Sequence, residues 1–105
     1  MREKLEALLA SGQDSASLRF ALANACFSAG DMENAILHAG FAVREKPDYS
    51  AAWRLLGQAQ AAAGRETDAA MSFERGIEVA ERAGDRQVGK EMQVFLRRLK
   101  HKAER

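Results

Sequence analysis

The sequence predicts an all-α fold, a short solenoid of about six helices arranged in antiparallel pairs. Three observations predict it. Of the 105 residues, 21 are alanine and only seven are the β-branched residues that strands favour. A single proline is present, so little in the chain interrupts a helix. The pattern of apolar residues and glycines also recurs after 34 residues, which is typical of stacked helical hairpins.

Each helix is predicted from a stripe of apolar residues at helical spacing, bounded by residues that start or stop helices. The first helix carries Leu5, Leu8 and Leu9 and ends at Ser11–Gly12, and the second begins after Asp14 or Ser15 and ends at Gly30. The third helix begins at Asp31 and ends before Pro47, and the fourth begins at Asp48 or Tyr49 and ends at Gly64. The fifth helix runs over about 66–83, and the sixth begins at Asp85. Connections this short predict that consecutive helices pack antiparallel.

The internal repeat sets the predicted organisation. When the sequence is shifted by 34 residues, the coinciding positions include Leu22 with Leu56, Gly30 with Gly64, and Ala35 with Ala69. We therefore predict one domain over 1–105, in which 1–14 form an N-terminal half-repeat helix, 16–49 and 50–83 form two repeats, and 84–105 form a C-terminal capping helix. Terminal units of such stacks are often atypical, because one face meets water.

Residues 50–83 resemble a tetratricopeptide repeat (TPR), with Trp53, Leu56, Gly57, Ala69 and Phe73 at that family's spacing. Residues 16–49 resemble a weaker copy, in which an arginine replaces the tryptophan and an alanine replaces the phenylalanine. The resemblance implies a right-handed, TPR-like superhelix that serves as a non-catalytic scaffold or adaptor for binding another protein. The spacing also predicts that Gly57 lies where two helices approach closely.

Composition excludes several other classes of protein. The net charge is +1, which argues against a histone-like polycation. The only cysteine, Cys26, allows no internal disulfide, and the charged N-terminus lacks the apolar segment of a signal peptide. With no apolar run long enough to span a membrane, we expect a cytoplasmic protein without membrane contact.

No set of residues predicts catalysis, a metal site or a cofactor. The glycines do not form a phosphate-binding loop, and the histidines lack metal-ligand spacing. We interpret Cys26 as a small side chain packed between helices, and His38 and His101 as exposed. The sequence therefore predicts no enzyme, no metal and no cofactor.

One surface is predicted to bind a partner. In a solenoid, the first helices of successive repeats line a concave face. We expect a peptide or segment of another protein to bind there, in a groove lined by Phe20, Asn24, Phe27, Arg54 and Gln58. Two alternatives stay open for the phenylalanines: they are exposed in the groove, or a terminal helix covers them.

The alternative function is binding of a nucleic acid or an acidic partner through the last helix. Residues 85–105 hold seven basic residues against three acidic ones. The candidate basic patch consists of Arg97, Arg98, Lys100 and Lys102. Nucleic acid is the weaker alternative, because no aromatic residues are interleaved with these charges. The oligomeric state, monomer or weak self-association, is left open.

Overall fold

The computed structural model describes residues 1–104, which form six α-helices and no β-strand. The helices are α1 (Arg2–Ala10), α2 (Ala16–Ser28), α3 (Met32–Glu45), α4 (Ser50–Ala62), α5 (Glu66–Ala83) and α6 (Arg86–Ala103). The predicted all-α fold is confirmed, and the helices begin and end close to the expected residues. The predicted capping segment 84–105 includes Arg105, which lies outside the described residues.

The helix ends follow from local chemistry. At α2 and α3, the side chains of Ser15 and Asp31 accept hydrogen bonds from backbone N–H groups of the first turn. Gly30 and Gly64 follow α2 and α4 with φ of 80° and 81°, a conformation that a side chain disfavours. At Gly84 the same left-handed conformation ends α5. The helices therefore stop where glycine allows the chain to reverse.

Consecutive helices pack against each other along the chain, and α4 also contacts α2 and α6. The molecule is elongated, with principal extents of 45 × 29 × 18 Å. One buried cluster surrounds Ala23, Ala39 and Leu56, and a second surrounds Phe73 and Met92. Trp53 is half-buried and packs against both clusters, so it joins the two repeats.

Two glycines in the second repeat allow close packing. A Cβ atom on Gly57 of α4 would lie 2.6 Å from Cδ1 of Phe73, and one on Gly76 of α5 would lie 2.8 Å from Cβ of Trp53. Both distances are shorter than van der Waals contact. The prediction that Gly57 lies at a helix crossing is therefore correct, and Gly76 has the same role toward Trp53 and Met92.

Buried polar side chains tie the helices together. Ser72 on α5 donates a hydrogen bond to Oε1 of Gln60 on α4 at 2.6 Å. Ser50 at the start of α4 donates to a carboxylate oxygen of Asp85, the residue that precedes α6. Asp85 therefore stands at the expected helix start, but its side chain binds Ser50 and makes no cap hydrogen bond to α6.

The first helix is the most loosely attached. None of the residues of α1 is buried, and α1 packs only on α2. Arg2 joins it to the start of α3 by an ion pair with Asp31, at 2.8 Å. The pKa of Asp31 falls to about 2, because the side chain of Asn34 and the Arg2 guanidinium both donate hydrogen bonds to the carboxylate.

The close contact at Gly57 can be tested against a matched glycine. Gly57→Ala is expected to lower the free energy of unfolding by about 1–3 kcal/mol, because the buried Phe73 ring must shift, and Gly57→Leu should cost more. Gly40 lies within α3 and a Cβ there would meet no atom within 4 Å. Gly40→Ala should therefore raise stability by about 0.5–1 kcal/mol through helix propensity alone. Urea denaturation measures both, and equal effects of the two substitutions would contradict the assigned contact.

Candidate partner-binding surface

The first helices of the pairs, α2 and α4, lie side by side with α6, because α4 contacts both of the others. We call the surface of these three helices the inner face. It contains an open cavity of about 340 Å³, which we call the inner cavity. Its lining residues are Phe27 from α2, Gln58 and Ala61 from α4, Phe73 from α5, and Phe95, Arg98, Leu99 and Lys102 from α6.

The lining of the inner cavity is mainly apolar. The Phe73 ring is buried, and its centroid lies 5.5 Å from that of the half-buried Phe95. Phe27 is also half-buried and packs against the core between α2 and α3. Only Gln58, Arg98 and Lys102 bring polar groups to the cavity. An apolar interior with a few polar groups is typical of sites that bind an organic side chain.

The five residues predicted to line one groove lie in three different environments. Phe27 and Gln58 line the inner cavity. Phe20 and Asn24 line a separate open cavity of about 700 Å³, together with Met1 and Arg2; we call it the N-terminal cavity. Arg54, which was predicted to line the groove, forms an ion pair with Glu91 of α6 at 2.8 Å.

Phe20 and Phe27 are neither fully exposed nor fully covered by a terminal helix. Both rings are half-buried and pack against the core cluster of α2, α3 and α4. The centroid of the Phe20 ring lies 4.9 Å from that of Tyr49, just before α4. Both phenylalanines therefore contribute to packing and to the surface at once.

The four predicted basic residues are exposed, and three of them, Arg97, Arg98 and Lys102, line one open cavity together with His101. Successive helical residues are about 100° apart around the axis, so Arg98 and Lys102 share one side of α6 and line the inner cavity. Arg97 stands next to Arg98 outside the inner cavity, and Lys100 lies on the opposite side of the helix. Lys102 forms an ion pair with Glu66 of α5 at 3.1 Å.

Sequence reasoning did not connect α6 with the inner face. A signal was available, because Phe95, Arg98, Leu99 and Lys102 follow the i, i+3, i+4, i+7 spacing of a single helical face. The internal repeat could not supply this connection, since α6 matches the repeat only after a slip of one residue.

A polar cluster around the partly buried Arg19 was also missed. Arg19 stands where the repeat has Trp53, and its guanidinium makes two hydrogen bonds of 2.9 Å with the carboxylate of Asp14. It also stacks over the Phe41 ring at 3.9 Å and donates to Nδ1 of His38 at 3.1 Å. The expectation that His38 is exposed is wrong: its ring is buried beneath Arg19.

The cluster around Arg19 lowers the pKa of two of its members, His38 and Asp14. The pKa of His38 lies below its usual value of 6.5, first because burial removes water from the ring and second because Arg19 is positively charged. Arg19 also lowers the pKa of Asp14 by donating hydrogen bonds to it. A neutral His38 can accept the Arg19 hydrogen bond at Nδ1.

The cysteine of the chain lies in the packed core. Cys26 is buried with Ala35 and Ala59, and burial raises the pKa of its thiol, so the interpretation as a packed side chain is confirmed. Within residues 1–104, no three His, Cys, Asp or Glu side chains are grouped closely enough to hold a metal ion. None of the helices that the structure describes is both long enough and apolar enough to cross a membrane.

Helical hairpins that repeat every 34 residues and share one inner face define a helical repeat protein. The tetratricopeptide repeat family model matches residues 2–40 and 37–86, and the chain belongs to this family. Proteins of this family are generally non-catalytic modules that bind other proteins.

Three relatives resemble the chain over most of its length. The TPR repeat-containing protein PA0015 of Pseudomonas aeruginosa is 48% identical over 99 residues, covering 94% of each chain. The solution structure of protein BPP2914 from Bordetella parapertussis has a TM-score of 0.83 at 39% identity, covering 97% of this chain and 89% of that one. The crystal structure of a tetratricopeptide repeat domain protein from Salinibacter ruber has a TM-score of 0.78 at 25% identity, covering 84% of this chain and 98% of that one.

The half-buried phenylalanines give a first prediction for this surface. Phe20→Ala and Phe27→Ala are each expected to lower the free energy of unfolding by about 1–3 kcal/mol. This is less than the roughly 3–5 kcal/mol of a fully buried phenylalanine, because each ring keeps part of its surface in water. Urea denaturation of the single variants measures the loss. A loss within about 0.5 kcal/mol of zero would instead fit rings that lie fully outside the packing.

The buried histidine gives a prediction for pH. Below a pH of about 6.5 the His38 ring is protonated in the unfolded chain. In the folded chain the pKa of the ring is lower, so the ring stays neutral to a lower pH. Stability is therefore expected to fall as the pH decreases through this range and to be fully present above it. His38→Asn keeps an acceptor for Arg19 but cannot titrate, so its stability should depend less on pH. Thermal melts of both proteins between about pH 7.5 and 5 test this; parallel curves would show that His38 remains accessible to protons in the fold.

Proposed function

We propose that the chain is a non-catalytic module that binds a segment of another protein on its inner face. In this proposal, an apolar side chain of the partner enters the inner cavity, and the rest of the segment lies along α2, α4 and α6. The proposal includes a cytoplasmic setting, which the unpaired thiol of Cys26 supports. The general role of the family in binding proteins supports the class of function.

The observation that carries the proposal is the apolar lining of an open cavity. Phe27, Phe95 and Leu99 are all half-buried around it, and each leaves apolar surface in contact with water. Covering this surface is favourable by about 25 cal/mol per Å². Aromatic side chains that surround a pocket of this kind are typical anchors of protein interfaces.

The alternative function divides into two parts. Its acidic-partner form is compatible with the inner face, because Arg98 and Lys102 line the inner cavity. Its nucleic-acid form needs cations that follow a phosphate backbone. Arg97, Arg98 and Lys102 share one cavity, but Lys100 lies on the opposite side of α6, and the apolar lining of the adjoining inner cavity suits a side chain rather than a phosphate. The proposed function therefore retains a protein partner.

A cavity-filling substitution tests the proposal without removing any core side chain. Peptides are first selected on the wild-type protein from a random peptide library displayed on phage, and their affinity is measured by fluorescence anisotropy. Ala61 lines the inner cavity, so Ala61→Phe should weaken binding by about tenfold or more, since the anchor's space is filled. Ala62 is the next residue of α4 and is exposed, so Ala62→Phe should change affinity by less than about twofold.

Two results would contradict the proposed function. Either the library yields no peptide that binds the folded protein, or the selected peptides bind both alanine variants equally. Circular dichroism melts of the two variants serve as the folding control, because a drop in melting temperature specific to Ala61→Phe would indicate damage to the second core cluster, against which Ala61 packs.

A further inference from the structure

The mouth of the inner cavity carries two cations at a fixed spacing. Arg98 and Lys102 are one helical turn apart on α6 and line the cavity together with Phe27. Both are exposed, and the side chain of Lys102 retains 69% of its accessible surface. Because part of the surroundings is apolar protein, their charges are screened less than those of cations surrounded only by water.

These two cations have fewer acidic partners than the rest of the inner face. Arg54 is neutralised by Glu91 at 2.8 Å. Across residues 1–104, no carboxylate oxygen lies within 4.0 Å of the Arg98 guanidinium, and Lys102 reaches only Glu66, at 3.1 Å. Exposed ion pairs like the latter contribute little stability, so Lys102 can exchange Glu66 for a carboxylate of a partner. Positive charge is therefore concentrated beside the apolar cavity.

We propose that the inner face recognises an acidic protein segment in which Asp or Glu stands next to the apolar anchor residue. The anchor fills the space between Phe27, Phe95 and Leu99, and the neighbouring carboxylates pair with Arg98 and Lys102. This inference rests on the proposed function and adds to it the charge of the partner. Neighbouring arginine and lysine side chains can donate hydrogen bonds to carboxylates in several geometries. The recognition therefore specifies negative charge near the anchor rather than one fixed sequence.

The cavity favours a protein over a nucleic acid as the acidic partner. Its wall consists of phenylalanine, leucine and alanine side chains, which match an aliphatic or aromatic anchor. Only two of the four cations at the end of α6 face it. A nucleic acid would gain from all four of them, because its affinity grows with the number of phosphates that are neutralised.

The test uses the phage-displayed random peptide library and compares two charge reversals on α6. Peptides selected on the wild-type protein should carry Asp or Glu beside an apolar residue at about three times the library frequency or more. Arg98→Glu/Lys102→Glu should weaken the best peptide by about tenfold or more, and the neutral Arg98→Gln/Lys102→Gln by about threefold or more. Selection on the Arg98→Glu/Lys102→Glu variant should instead enrich peptides that carry Lys or Arg beside the apolar residue.

The matched control is Arg86→Glu/Lys90→Glu. These residues have the same i, i+4 spacing on the same helix, but they lie about 120° around it, beside Glu81 on the other side of α6. The control should change affinity by less than about twofold. Melting curves of all variants establish that they fold.

The outcomes separate this inference from the proposed function. Selected peptides without acidic residues, but with affinity that Ala61→Phe removes, would overturn the charge inference and leave the proposed function intact. Equal losses in both charge reversals would overturn it as well, by showing a general effect of net charge. A third outcome concerns a labelled single-stranded oligonucleotide. If it binds more tightly than the best peptide, and if its affinity depends equally on Arg97 and Arg98, both the charge inference and the proposed function are overturned in favour of nucleic-acid binding by α6.

Discussion

The contact between the Phe73 ring and the bare backbone of Gly57 supports both the core and the inner face. A side chain at Gly57 would occupy the space of the ring, so α4 and α5 can approach this closely only because the side chain is absent. On its other side the same ring meets Phe95 of α6. The inner cavity is therefore built on a core side chain, and its shape depends on how closely α4 and α5 pack.

The helix boundaries could be predicted from the sequence because they depend on local chemistry. A glycine with positive φ follows α2 and α4 at Gly30 and Gly64, and side-chain caps at Ser15 and Asp31 start α2 and α3. These effects act within one turn, so a single sequence is sufficient to detect them. The 34-residue period then gave the pairing of helices, because equivalent helices of stacked hairpins must make equivalent contacts.

The candidate site was predictable only in part, because it depends on contacts between distant side chains. The repeat predicted that Phe27 and Gln58 face a common groove, and both line the inner cavity. The pairing of Arg54 with Glu91 and the position of Arg98 at the cavity could not be deduced, since both require the rotation of α6 relative to α4. That rotation is set by the packing of Met92 and its neighbours, which the one-residue slip in the repeat does not reveal.

The two repeats use different chemistry at the same position. Trp53 joins two apolar clusters and donates a hydrogen bond to the carbonyl of Pro47 at 2.9 Å, whereas Arg19 joins Asp14, His38 and Phe41. Both side chains are planar and can stack on a ring, which explains why arginine is accepted there. At this position the first repeat is therefore held in part by charged and polar groups, and the second by apolar contacts.

The weak attachment of α1 has a consequence for the extent of the surface that another molecule can reach. Local opening begins where burial is least, and α1 has no buried residue. When α1 separates, the wall of the N-terminal cavity that Met1 and Arg2 provide departs with it, and the Phe20 side of α2 becomes accessible. The inner cavity, which no residue of α1 lines, does not depend on this opening, whereas the cavity beside Phe20 loses part of its wall each time α1 detaches.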